Sequence, residues 1–563
     1  MSHPGPISHT QPGGTPLNRL AATALAVAAI VAAAGAGDVT ACTSILASRG
    51  ATEDGSVIIT YSCDGEFHPH LRYVPAEDHE PGTFHEIKHW DGKVLGKIKQ
   101  VEHTYAVVGL MNEHQVAIGE TTFDGRMELE NPDGLLHYWT LMQLALQRSK
   151  TAREAVRVIG ELVDEYGYRS TGESISIADK KEAWLMEIIG PGPGGKGANW
   201  VALRIPEGYI SCTANRSRIG EFPLDDPDKC MYSERVIDFA VEKGFYDPGS
   251  GEPFNYTDAY CPPTPQRLLY TATRVWSIFR RAAPSKEFSP DYHRGVEGAE
   301  PYPLWIKPDD KLSVQDVIAL MRDHYEGTQY DMTRGVDAGP YNTPNRCRPM
   351  NWTVDETEYS WERPISTQQT GFSFVSQSRD WLPDPVGGLY WYGLDDTYTS
   401  CYMPLYCGID RIPESYARGK LSAFSWDSAW WVFNFVANFA NLKYSYMIHD
   451  IQAVQTKIEG DFFALQPVVE KTALELYKSD PGLLTTYLTD YSVGHAESIV
   501  VTWRELGEYL ITKYNDGYVQ EEPGRPKEKG YPEDWLAEVL RARPDAFTLK
   551  KWQEETSETD LPF

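Results

Sequence analysis

A chain of 563 residues exceeds what one ordinary core needs, and the length allows two to four domains or one large layered domain with additions. Hydrophobic residues make up 41%, aromatic residues 12% and charged residues 23%, a globular composition that argues against a disordered or fibrous protein. The formal charge of −28 argues against nucleic acid and anionic membrane as partners, since either would need a basic face to replace released counterions.

The first segment differs from the rest. Arg19 precedes a small-apolar run from Leu20 to Ala34, interrupted only by Thr23, and Gly35 to Ala41 come next. The run has the length of a signal-peptide core and falls short of the roughly 20 residues a membrane-spanning helix needs. Residues 1–41 are therefore read as a removable leader, and the expected location is exported: periplasmic, extracellular or cell-surface. Val39-Thr40-Ala41 places small residues before Cys42 as a signal-peptidase site does. The same residues also fit a lipoprotein box, in which Cys42 would be a lipid anchor, and autocleavage before Cys42 is a third route to a new N-terminus.

The residues after Cys42 favour a free N-terminus. Thr43 to Ala47 reads as a strand, Glu53-Asp54-Gly55 as a turn and Ser56 to Thr60 as a returning strand, so the chain enters a core hairpin with no tether. A thiol on the first residue lies beside its own α-amine, whose ordinary pKa of about 7.7–8.0 leaves a usable base at neutral pH. Cys42 is thus a candidate nucleophile that needs no histidine, and the 14 histidines form no cysteine-protease signature around it.

Further along, Leu135 to Tyr168 reads as two amphipathic helices meeting near Lys150-Thr151. Thr151 is the expected N-cap, and Ala155, Val156, Ile159, Leu162 and Val163 are the buried stripe. Trp184 to Ile188 and Trp200 to Leu203 read as strands joined by a glycine-rich loop that lacks the Lys-Ser or Lys-Thr of a phosphate cradle. Gly208 to Thr213 is strand-like and leads to Asn215. Ser425 to Tyr514 is helix-rich, the dense apolar run Trp430 to Phe439 reads as a buried helix, and a break after Tyr518 introduces a peripheral helix and an acidic tail. His68-Pro69-His70 and Asp225-Asp226-Pro227-Asp228 lack structural-zinc or calcium-loop spacing, so no metal or other cofactor is expected. Of the eight cysteines, Cys401 with Cys407 and Cys212 with Cys230 are pairs an exported chain permits, while Cys63 is expected to stay reduced.

Several motifs together resemble one family. Cys42-Thr43-Ser44-Ile45, Ala51 to Ser56, Asn112 to Glu120, Ala214 to Ile219, Tyr325 to Thr328 and Ser366 to Phe372 are similar to segments of the peptidase family C69 dipeptidases. These are relatives of the bile-salt hydrolase and penicillin V acylase group and, more distantly, of the secernins. The resemblance runs from Cys42 to about Gln520. It implies an α+β protein with a four-layer αββα N-terminal-nucleophile fold that hydrolyses short-peptide amide bonds through a thioester acyl-enzyme. It also implies small peptides as partners, with no nucleic acid and no membrane after leader removal, and leaves a homo-oligomer open.

Residue by residue, the resemblance puts the nucleophile at Cys42, an aspartate that positions the α-amine at Asp64 and an oxyanion asparagine at Asn215. Arg274 matches an arginine near the nucleophile, and Thr121 and Thr122 occupy the stretch of a second polar oxyanion contact. One departure stands out: many relatives carry Arg-Asn before the aspartate, whereas this chain has Tyr61-Ser62-Cys63-Asp64. That leaves Arg274 as the expected nearby cation. The implied organisation is a leader over 1–41, a catalytic core over 42–424, a helix-rich region over 425–520 packed on the core and a peripheral tail over 521–563. Two other readings remain at this point: an N-acyl amidase acting on bile-salt-like or penicillin-like amides, and an inactive lipid-anchored binding protein on the same fold.

Overall fold

A computed structural model describes residues 42–65, 71–522 and 524–549. The leader, His68 to His70 and the end of the acidic tail lie outside the described residues. Strand β1 (Ser44–Ala47) and strand β2 (Val57–Asp64) form the expected hairpin, with Leu46 opposite Ile59 and Ala47 opposite Ile58. β2 runs four residues past the expected Thr60, because Tyr61 to Asp64 pair with a distant strand instead of turning into solvent. After β3 (Tyr73–Val74) come a separate hairpin of β4 (Phe84–Lys88) and β5 (Val94–Lys99), then β6 (Val107–Val108), β7 (Met111–Asn112) and β8 (Ala117–Phe123).

Helices α1 (Tyr138–Arg148) and α2 (Ala152–Tyr166) follow, with Thr151 capping α2 by accepting from Glu154 N at 3.1 Å. Its apolar stripe is buried from Ala155 through Val163 as the 3.6-residue period requires. The next strands are β9 (Gly172–Ala178), β10 (Ala183–Ile189), β11 (Asn199–Arg204), β12 (Ile210–Thr213) and β13 (Cys230–Tyr232), and the glycine-rich loop joins β10 to β11. Beyond them lie α3 (Pro265–Ala282), β14 (Trp305–Ile306), α4 (Val314–Leu320), β15 (Thr370–Ser378), β16 (Leu389–Leu394) and β17 (Met403–Tyr406). Three helices complete the body: α5 (Ala429–Ala440), α6 (Tyr444–Ser479) and α7 (Pro481–Lys513).

Among the described residues the strands build two large antiparallel sheets, in the orders β14-β12-β1-β2-β15-β16-β17 and β13-β11-β10-β9-β8-β7-β6-β3. β1 and β2 pack against β8, β9 and β10 of the other sheet. Gly119 permits the approach, since a Cβ there would lie 2.8 Å from Tyr61 Cβ. α1 and α2 contact the eight-stranded sheet, while α3 to α7 contact the seven-stranded one. The chain is a mixed α+β protein. α5 is a half-buried to buried helix carrying the apolar run from Trp430, and no helix among the described residues is long and apolar enough to cross a membrane.

The disulfide pairings are not formed, and all eight cysteines are free. Cys401 and Cys407 flank the extended β17 on either side, about 20 Å apart along a strand of this length. Cys212 and Cys230 lie on strands of different sheets.

Asp395 lies just beyond β16 with φ at 64°, buried, its Oδ1 accepting from Asn434 at 2.9 Å. Burial pushes its carboxyl up to about 8, with Asp396 adding. A folded-state pKa above the unfolded value means that the folded chain holds the proton, so this contribution is full below about pH 4 and is lost as pH rises toward 8. Asn tolerates the same left-handed backbone. Asp395→Asn is therefore expected to remove that slope, and thermal denaturation should show its melting temperature rising relative to wild type between pH 5 and pH 9.

Candidate active site

The antiparallel register gathers the site. In β12-β1-β2-β15 the start of β1 lies beside the ends of β12 and β2 and the start of β15, with Ser44 opposite Thr213 and Thr370 opposite Asp64. Cys42, Asp64, Asn215 and the segment before β15 therefore meet at one edge. Ser62 Oγ accepts from Thr43 N at 3.1 Å, and Cys42 is buried.

Cys42 is gripped by its backbone. Its N–H donates to Asn215 Oδ1 at 2.9 Å, and its carbonyl accepts from Arg274 Nη1 at 2.6 Å. Arg274, projecting from α3, also donates to Thr43 Oγ1 (2.9 Å), Ala214 O (3.1 Å) and Asn215 Oδ1 (2.9 Å). Burial and the nearby Arg363 lower its pKa to about 10, which leaves it charged at neutral pH. Asn215 sits at φ 58°, a region Asn enters more readily than most residues, and its amide Nδ2 donates to Thr122 O at 2.7 Å.

Asp64 does not receive the Cys42 N–H; Asn215 does. The carboxylate instead forms a buried ion pair with Arg363 and accepts from Thr370 Oγ1 at 2.6 Å and Ser62 Oγ at 3.2 Å. Asp64 thus reaches Cys42 indirectly, through Ser62 and Thr43. Arg274 is the nearby cation expected, and Arg363 is a second one that the sequence reading did not name. The arginine absent before Asp64 in sequence is replaced in space by one that lies 299 residues further on. No local pattern could reveal it.

Thr121 and Thr122 part company, since neighbouring strand residues face opposite sides. Thr121 Oγ1 donates across the sheets to Thr213 Oγ1 at 2.9 Å. Thr122 Oγ1 lies 3.1 Å from Glu173 Oε1 and 3.5 Å from Glu120 Oε2. Thr122 is opposite Glu173 in register, so Glu120 and Glu173 are diagonal neighbours on one face.

The thiol faces this acidic pair. Cys42 Sγ donates to Glu120 Oε1 at 3.6 Å, and Tyr61 Oη, which lies 2.7 Å from Cys63 Sγ, donates to the same oxygen at 2.5 Å. Burial, the Cys63 contact and the Glu120 charge push the Cys42 thiol well up. Burial raises Glu120, and burial together with Glu120 raises Glu173 well above the carboxylate range. Two buried carboxylates this close disfavour each other's ionised form. Cys42, Cys63 and Glu120 present donor atoms within 4.8 Å of one another. Two thiols and a carboxylate suit zinc, which would compete with substrate for the Cys42 sulfur. Sequence reasoning missed Tyr61, Glu120, Glu173 and Arg363 as site residues. Carboxylates embedded in the strands Ala117–Phe123 and Gly172–Ala178 were the signal available for two of them.

Comparison with known proteins identifies the class of reaction. The chain is a peptidase. The model of peptidase family C69 matches residues 75–457, more than half of the 563, and the chain belongs to that family. Glu120, Glu173, Asn215, Arg274 and Arg363 fall inside the match; Cys42 and Asp64 precede it. The chain is 26% identical over 408 residues to a probable dipeptidase of Salmonella dublin, covering 69% of this chain and 86% of that protein. It is 26% identical over 428 residues to a probable dipeptidase of Latilactobacillus sakei (72% and 82%). It is 23% identical over 485 residues to probable dipeptidase A of Streptococcus pyogenes serotype M3 (82% and 96%).

Breaking the buried ion pair leaves Asp64 charged in the interior, a loss of about 3–5 kcal/mol in comparable pairs. Arg363→Met is expected to lower stability by that amount in urea titration, and Asp64→Asn added to it should recover part of the loss.

Proposed function

We propose that this peptidase is a cysteine dipeptidase of the four-layer N-terminal-nucleophile type, exported, with the leader removed so that Cys42 begins the mature chain. The observation that carries the reading is the double grip on Cys42, Asn215 Oδ1 on its nitrogen and Arg274 on its carbonyl oxygen, which orients a main-chain nitrogen beside its own buried thiol.

In the full chain that nitrogen belongs to a peptide bond. Once the bond to Ala41 is cut it becomes an amine, donating to Asn215 and directing its lone pair at Sγ. The nearby guanidinium of Arg274 disfavours protonation of that amine and keeps it a base. A base is needed, because the thiol is held protonated by burial and the carboxylate beside it.

The amine takes the thiol proton and sulfur attacks the peptide carbonyl. The tetrahedral oxyanion is stabilised by the Asn215 side-chain N–H and a backbone N–H. As the C–N bond breaks, the ammonium of Cys42 returns the proton to the leaving amine, and a thioester remains. Water loses a proton to the same amine, attacks the thioester and releases the acid and the thiol.

Intact mass and N-terminal sequencing of the mature protein should give a chain beginning at unmodified Cys42. Cys42→Ala is expected to abolish dipeptide hydrolysis. Asn215→Asp, which keeps a residue tolerant of positive φ but removes the donor, is expected to lower kcat by about 10²- to 10³-fold. A lipidated Cys42, or turnover surviving in Cys42→Ala, would overturn the assignment.

A further inference from the structure

The hydrolytic steps leave the acidic pair unused. Glu120 and Glu173 are fully buried, and among the described residues Glu120 is touched by Tyr61, Cys42, Thr122 and Glu173, none of them cationic. Arg274 and Arg363 are engaged around Cys42 O, Asn215 and Asp64. Among the described residues no cationic side chain is hydrogen-bonded to either carboxylate, so a negative charge on the pair would lie in the interior without a positive partner. Such a charge is retained where a ligand supplies that partner.

The distance from the thiol defines which ligand group that is. In a peptide attacked at its first bond, the α-nitrogen is two bonds from the reacting carbon, about 2.5 Å away whatever the side chain. Sulfur poised for attack stands about 3–3.5 Å from that carbon. Glu120 Oε1, 3.6 Å from Sγ, is within hydrogen-bond reach of the α-nitrogen of a substrate so placed.

We propose that Glu120, backed by Glu173 on the neighbouring strand, is the receptor for the free α-ammonium group of the substrate, so that the enzyme cleaves the first bond of peptides with an unblocked N-terminus. The assignment rests on Cys42 as nucleophile and extends that reading to substrate selection. Binding exchanges donors at Glu120: the substrate N–H replaces the Cys42 S–H, and the thiol proton passes to the Cys42 amine. The ammonium beside sulfur then favours the thiolate, which the empty site disfavours. An N-acyl amide offers no cation here and would leave the carboxylate desolvated and unpaired, so the pair argues against the amidase alternative.

Three substrates test this: a dipeptide, its N-acetyl form and its des-amino form, each with the mature wild-type enzyme, Glu120→Gln, Glu120→Asp and Cys42→Ala. Wild type should favour the free amine over the des-amino form by at least about 10²-fold in kcat/KM, as expected where a buried polar site loses its partner. In Glu120→Gln that ratio should collapse toward one, whereas a merely structural role would lower all three substrates together and leave the ratio intact. Glu120→Asp should keep the preference with a raised KM. The wild-type ratio needs no variant to fold. Equal wild-type rates on free and des-amino substrates, or an unchanged ratio in Glu120→Gln, overturns the receptor while a dead Cys42→Ala leaves the nucleophile standing. Turnover surviving in Cys42→Ala overturns both.

Discussion

A chain end frays unless something ties it down, and the proposed nucleophile, as the first residue of the proposed mature chain, must be held as firmly as one in mid-strand. Here the tie is made to the backbone of Cys42, through Arg274 on its carbonyl and Asn215 on its nitrogen, with the two partners bonded to each other at 2.9 Å. Holding the residue by its main chain leaves the thiol free for chemistry. It also makes the arginine structural: its charge compensates carbonyl and amide oxygens in a dry interior, and its distance from the sulfur is set by the helix that carries it.

The charges around the sulfur are segregated. Arg274, Arg363 and Asp64 lie on the backbone side of Cys42, whereas Glu120 and Glu173 lie on the thiol side. Mixing them would let an arginine neutralise the acidic pair and leave Asp64 bare. Two devices keep them apart: Asp64 is satisfied locally by Arg363 and Thr370, and the alternation of β8 sends Thr121 to the sheet interface while Glu120 and Thr122 share the opposite side. The thiol sits at the border, and its ionisation responds to what arrives on the acidic side.

What the sequence disclosed was local or carried by motifs. The β1-β2 hairpin, the Thr151 cap and the stripe of α2 depend on residues a few positions apart, and their periodicity is readable. Cys42, Asn215 and Arg274 came from motif resemblance, and the structure brings them into direct contact. Arg363 and the pairing of Glu120 with Glu173 depend on register between distant strands, which no spacing in one sequence encodes. Asn215 was assigned as an oxyanion donor. Its carbonyl end proves to hold the Cys42 nitrogen, a second task invisible until the backbone's direction is known.

The C-terminal helices bear on the same edge from behind. Arg322, after α4, pairs with Glu459 of α6 while donating to Thr397 O and Ser400 O, and Arg379, at the end of β15, pairs with Glu470 at 2.6 Å. Both contacts are partly buried and both attach α6 to the strands and turns around β15 and β16. β15 is the strand whose start faces Asp64 and whose approach carries Arg363. A helix that fixes the far end of β15 therefore also fixes the lateral position of the ion pair at its near end, because a paired strand cannot shift at one end alone without breaking register along its length. On this argument α6 is part of the framework that holds Cys42, although none of its residues is hydrogen-bonded to it.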